Sequence, residues 1–206
     1  MNTETYINSG IIEMYVMGAL TSEEEKEVSL LAGKYTEIRN EIERVSSTLE
    51  AYVQQHAKTP APEIKPVLMA TFDFMQRMEN GEKPVKAPLL TSRTRKDDFS
   101  EWLNHPDMQA PLEYAHTYVK LISYQPAHST AIVWLKEGAT EEVHTDEYES
   151  LFILEGSCDI LINKEIYQLY PGDLLTIPLF ASHSVKVTST IPCKLILERR
   201  AVSISF

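Results

Sequence analysis

At 206 residues, with 43% hydrophobic and 24% charged side chains, the chain has ordinary globular usage and room for one or two domains. A net charge of −11 argues against direct nucleic-acid binding, which needs clustered Lys and Arg, and fits a protein partner with a basic surface. No apolar run approaches the roughly 20 residues of a membrane helix, and the opening MNTETYINSG lacks a basic segment followed by an apolar core, so a cytoplasmic location is expected.

The first 80 or so residues read as helical. In YINSGIIEMYVMGAL, Ile7, Ile11, Met14 and Tyr15 make an amphipathic stripe, ending near Gly18. Thr21 and Glu24 then have capping-box spacing, and Glu23, Glu24 and Glu25 fall in the first turn, where the helix dipole favours anions. Gly33 suits a helix stop. The next segment has the clearest period. Ile38, Ile42, Val45, Leu49, Tyr52 and Val53 share one face of a helix whose other faces are charged. HAKTPAPEIKP, with three prolines, reads as a loop, and VLMATFDFMQRMENG as a fourth helix closing at Gly81.

Residues 82–108 are polar, with Pro and Lys, and read as a linker; FSEWLNHPDM holds room for one helical turn. From about Tyr114 the period changes to short β-branched and aromatic runs broken by turns, the pattern of a β-sandwich or small barrel. The expected class is therefore α+β and multi-domain: a helical domain over 1–80, a linker over 81–109 and a β-barrel over 110–206. Cys158 and Cys193 form no metal-binding spacing and are expected as small buried apolar residues.

In PGDLLTIPLFASHSVKV, His183 stands among small and apolar neighbours, either as a hydrogen-bonded core histidine or as a ligand aimed into a barrel. Upstream, GATEEVHTDEYESLFILEG carries Gly138, His144, Asp146, Glu149 and Gly156. Residues two apart on a strand face one side, so His144 can share a direction with Asp146 or with Glu142. With Glu149 and His183 these would bring two imidazoles and one or two carboxylates together, a set suited to Zn, Fe, Mn or Ni. His56, His105, His116 and His128 match no motif.

These two segments resemble the cupin superfamily of jelly-roll barrels. Its first motif places Gly, His-x-His, Glu and Gly in order; here Asp146 stands at the second His, and the gap to Glu149 is one residue short. Taking Glu142 as the first of the pair and His144 as the second restores that gap and shortens the one from Gly138; both registers stay open. In the second motif Gly172, Pro178 and His183 fall in place, with Phe180 where the family has Gly. The apolar residues Val133, Leu135, Leu151, Ile153, Ile160 and Ile162 are first of all core.

The pattern Ile11, Ile12, Tyr15, Gly18, Leu20, Glu23, Glu24, Glu25, Val28, Leu31 resembles the N-terminal region of anti-sigma factors. With no cysteine before Cys158, it would be the zinc-free kind. Helical part plus cupin together resemble the ChrR type of anti-sigma factor. The resemblance implies sequestration of an extracytoplasmic-function sigma factor by residues about 1–80, with the barrel as sensor for a ligand, metal state or oxidant and the linker as hinge. Apolar residues of the first helix (Ile11, Met14, Tyr15, Met17) and of the 66–79 helix (Met69, Met75) would contact the sigma factor if exposed, or close the core if not. The rival expectation is a metal-dependent cupin enzyme acting on a small molecule, with the helices for homodimerisation. A third is a ligand-binding cupin without catalysis.

Overall fold

The computed structural model describes residues 2–202. The chain divides into two compact units, residues 1–59 and 60–206.

The first unit holds α1 (Thr3–Ile7), α2 (Ile11–Val16), α3 (Ser22–Lys34) and α4 (Thr36–Gln55). The single first helix expected from the stripe is two helices, because Gly10 between them adopts φ 82°, which only glycine takes without strain. The Thr21–Glu24 capping box forms: the Thr21 amide donates to Glu24 Oε2 at 2.9 Å and the Glu24 amide to Thr21 Oγ1 at 3.4 Å. The α4 stripe closes the small core, with Ile38, Ile42, Val45 and Leu49 against Ile12 of α2. Its last members, Tyr52 and Val53, remain exposed.

The second unit holds α5 (Ile64–Glu79), the one-turn α6 (Ser100–Leu103) and, among the described residues, nine strands. These are β1 (Thr117–Gln125), β2 (His128–Leu135), β3 (Gly138–Glu142), β4 (Glu147–Glu155), β5 (Cys158–Ile162), β6 (Glu165–Leu169), β7 (Leu174–Ile177), β8 (His183–Val187) and β9 (Cys193–Ala201). They pair antiparallel as two sheets, β1-β2-β9-β4-β7 and β3-β8-β5-β6. The two sheets face each other across one core, a jelly-roll sandwich. That core contains all six of the apolar positions expected there, from Val133 to Ile162, together with the two buried free cysteines.

Two boundaries differ from the sequence expectation. The helix over 64–79 belongs with the β-unit, not with a helical domain over 1–80. Its inner face is Ala70, which enters the barrel core, the buried Phe74, edge-on to Tyr124 of β1, and Asp73, which pairs with Lys120 of β1 at 2.8 Å. Residues 81–109 are not a free linker or hinge. Ala87, Leu90, Phe99, Trp102 and Met108 are buried against Ile122, Ile132, Trp134, Phe152, Leu154 and Ile196 on the outer face of the five-stranded sheet. The physical reason lies in β2, β4 and β9, which are apolar at consecutive positions, so both faces of that sheet need cover. The fully buried Glu198 ties the strap down: Leu90 donates its backbone amide to Glu198 Oε2 at 2.9 Å, and Arg200 Nε lies 3.0 Å from Oε1. No helix among the described residues is long and apolar enough to cross a membrane.

Candidate metal centre

The site is assembled from two cross-strand pairs and one loop residue. On the four-stranded sheet Glu142 of β3 stands opposite His183 of β8. On the five-stranded sheet Glu149 of β4 stands opposite Arg199 of β9. His144 follows Glu142 in the β3–β4 connection. An irregularity in β3 between Ala139 and Glu142 sets which of its residues face the interior. Both Ala139, packed on the core, and Glu142 face inward although three residues apart, which a regular period of two forbids. Gly138 opens the strand at a point where a Cβ would lie 2.0 Å from the Val185 carbonyl oxygen, so only glycine lets β3 reach β8.

One donor atom from each of Glu142, His144, Glu149 and His183 lies within 4.8 Å of all the others. Between the two registers left open by the sequence, the geometry takes Glu142 and leaves out Asp146. Asp146 is exposed in a bend, where its carbonyl oxygen accepts from the Val202 amide. Two residues unmarked by the motifs, Arg199 and Glu147, join the site. Arg199 reaches Glu149 at 2.9 Å, Glu147 at 3.4 Å and Glu142 at 3.6 Å. The signal for Arg199 was present in CKLILERR, where Cys193, Leu195 and Leu197 face inward and Arg199 continues their alternation.

His183 is held as a metal-ligating imidazole is. His183 Nδ1 lies 3.2 Å from the Ala181 carbonyl oxygen, to which it donates, leaving Nε2 bare toward the carboxylates. His183 Nε2 and His144 Nε2 are both buried and without a hydrogen-bond partner. His144 Nε2 is 3.2 Å and His183 Nε2 3.5 Å from Glu149, close enough for charge attraction. The backbone of His144 is pinned from the β7–β8 turn, where the Phe180 amide donates to its carbonyl oxygen at 2.8 Å. Phe180 does this with φ 61°, a left-handed conformation that is strained for a residue other than glycine.

The electrostatics match the geometry. The Glu149 carboxylate beside it holds the His144 imidazole above its ordinary range, against the cost of burial. Burial alone would lower His183, and Glu149, the Ala181 carbonyl and Glu142 together raise it. Glu149 is held far below the carboxylate range: burial opposes ionisation, but both imidazoles and Arg199 outweigh it. Burial and the neighbouring Glu149 push Glu142 up. With neutral imidazoles, three carboxylates and one guanidinium leave two negative charges. Two orphaned Nε2 atoms, two converging carboxylates and that charge fit a divalent cation. Glu142, His144, Glu149 and His183 would hold it, and it would supply Lewis acidity or a redox centre there.

The six residues expected at a partner surface do not share one unit. Ile11 packs half-buried against the small helical core; Tyr15 is half-buried outside it, with Oη 3.1 Å from Ser29 Oγ, and Met14 and Met17 of the same unit are exposed. Met69 and Met75 are exposed on α5, in the β-unit. Their separation follows from α5 burying Ala70 and Phe74 on the β-unit.

The family model described as "Cupin domain" matches residues 131–198. No curated protein matches. Among solved structures, the Cnp3 cupin domain of Schizosaccharomyces pombe is 14% identical, with 43% of this chain and 67% of that one covered and a TM-score of 0.41. KdgF from Halomonas sp. is 17% identical over 48% of this chain and 94% of its own, with a TM-score of 0.41. Pac13 from Streptomyces, described as a nucleoside dehydratase, is 13% identical over 44% of this chain and 73% of its own, with a TM-score of 0.38. Residues 131–198, which carry Glu142, His144, Glu149 and His183, are a cupin domain.

Proposed function

We propose that the chain is a regulatory protein of the ChrR type, an anti-sigma factor whose cupin barrel is a metal-holding sensor. The observation that carries the reading is how little free space borders the site. The cavity beside Glu142, Glu149 and Arg199 is about 70 Å³. Small-molecule sites occupy roughly 300–1,000 Å³, and a water molecule takes about 30 Å³ of liquid. Such a space suits an ion and one or two water-sized ligands, as a sensor of metal state or oxidant requires, rather than a seated organic substrate. The helical unit adds the pattern from Ile11 to Leu31, its excess of Glu and the exposed Met14 and Met17. These are features suited to a basic, adaptable partner such as an extracytoplasmic-function sigma factor in the same compartment, the cytoplasm. Release would be a shift between two arrangements whose balance the signal changes.

A second reading, a metal-dependent cupin enzyme, draws on Glu142. Its raised carboxyl beside the other donors is what a proton-carrying group needs. The test is co-expression of the full-length chain with each extracytoplasmic-function sigma factor of the same genome, followed by elemental analysis of the purified protein. A stable complex carrying about one Zn, Fe, Mn or Ni per chain is the expected result. Stoichiometric metal without any sigma complex supports the enzyme. Neither metal nor complex removes both readings and leaves a ligand-binding barrel.

A further inference from the structure

The entrance to the barrel is guarded by the start of α5. Glu63, the residue before that helix, sends its carboxylate across to β3: the Thr140 amide donates to Oε1 at 2.7 Å and the Thr140 hydroxyl to Oε2 at 3.0 Å. Thr140 is two residues from Glu142. One turn into α5, Val67 lines the inner cavity with Glu142, Glu149 and Arg199. A turn further on, Ala70 enters the core, and beyond it Asp73 holds Lys120 while Arg77 donates to the Leu121 carbonyl. The far end of α5 is thus anchored by packing and two polar ties, whereas its first turn rests on Glu63.

Outside Glu63 lies a second groove of about 370 Å³, lined by Pro62, His116, Thr117, Glu137, Thr140 and Val185 among others. Glu63, Thr117, Ala139 and Val185 line both spaces. The partition between them is the Glu63–Thr140 contact. Joined, the two would fall within the range of small-molecule sites. The inner part would be walled by Val119, Val133, Leu151 and Leu195, and the outer part would add His116, Glu137 and Thr140 beside Pro62 and Val185.

We propose that Glu63 is the latch that sets what reaches the metal group: closed, it admits water-sized ligands, and released, it opens a path for a small molecule with an apolar body and a metal-binding head. This deepens the sensor reading and rests on Glu142, His144, Glu149 and His183 holding a metal.

The test uses the full chain loaded with Co(II), whose visible spectrum reports its ligands, and two probes: azide, and 4-phenylimidazole. In the wild type azide is expected to change the spectrum and 4-phenylimidazole to bind at least tenfold more slowly than it does in Glu63→Ala. Glu63→Gln, which keeps an acceptor for Thr140, should behave as wild type. Val67→Ala, which widens the mouth and spares the latch, should give a smaller acceleration, with azide unchanged in every variant. Equal 4-phenylimidazole rates in wild type, Glu63→Ala and Val67→Ala with cobalt bound overturn the latch alone. Failure of cobalt to bind to any of the proteins overturns the metal reading, and the latch with it.

Discussion

The two sheets of the β-unit differ in what covers them. In the five-stranded sheet, β2 and β4 bury runs of six consecutive residues, because the barrel core lies on one face and the 87–108 strap on the other. In the four-stranded sheet, β5 alternates buried and accessible positions, and β6 leaves Ile166 and Tyr167 exposed. The same jelly roll therefore contains one sheet that behaves as an interior layer and one that behaves as a wall. The site draws one pair from each: Glu149 with Arg199 from the interior layer, Glu142 with His183 from the wall.

The largest expected effect separates the two sheets by their outer faces. Phe99→Ala, which removes a fully buried ring of the strap, should cost about 3–5 kcal/mol. Ile166→Ala on the wall should stay within about 0.5 kcal/mol. Chemical denaturation of both variants measures the difference, and equal costs would mean the strap does not cover the interior layer.

The next contrast runs through the site. Glu149 has a side chain only 4% exposed and carries Arg199, whereas Glu142 is 37% exposed. Glu149→Gln leaves a guanidinium and two raised imidazoles without their main counter-charge, and should destabilise the metal-free protein by roughly 3 kcal/mol. Glu142→Gln should cost no more than about 1 kcal/mol. Both should lower metal content in elemental analysis, so stability and metal retention come apart at Glu142 and fall together at Glu149.

A pH series sharpens the same contrast. His144 and His183 both titrate above their ordinary value. Their contribution to the metal-free fold is complete below about pH 6.5 and lost as pH rises through the raised values. Glu149 works the other way: its contribution is present above its ordinary value of 4.5 and lost as pH falls through its lowered one. The Tm of the chelator-treated protein should therefore fall as pH rises past neutrality. The metal-loaded protein should not follow, because metal binding needs neutral imidazoles and strengthens as protons leave. Parallel curves with and without metal would count against ligation by the two histidines.

The smallest effect is expected at Phe180, whose side chain is 70% exposed and whose φ is 61°. Phe180→Gly removes left-handed strain of about 1 kcal/mol and adds disorder to the unfolded chain, so the net should stay within about 1 kcal/mol, with metal content unchanged. A loss of several kcal/mol would assign Phe180 a packing role that its exposure denies.

Much of this is legible in the sequence. Strands from 117 onward show their short β-branched runs, the Thr21–Glu24 box announces the start of α3, and His144, Glu149 and His183 lie on motif spacing. What misled were positions where local pattern and tertiary need diverge. Residues 81–109 are polar on average, yet their few apolar members, spaced irregularly, are the ones that cover a sheet; no period marks them. The choice between Glu142 and Asp146 is open in the sequence because the irregularity in β3 between Ala139 and Glu142 has no local signal. The helix over 64–79 buries only Ala70 and Phe74, and its polar ties to the β-unit, from Asp73 to Lys120 and from Arg77 to the Leu121 carbonyl, follow no local period.

The strap has a practical consequence for dissecting the protein. A fragment cut at residue 110, where the β-pattern begins, would keep every donor of the site and every strand. It would also present Ile132, Trp134, Phe152 and Ile196 to water as one apolar surface. Such a surface invites self-association, so insolubility of that fragment would say nothing about the barrel's own integrity. The smallest piece that carries its own covering begins near Pro60.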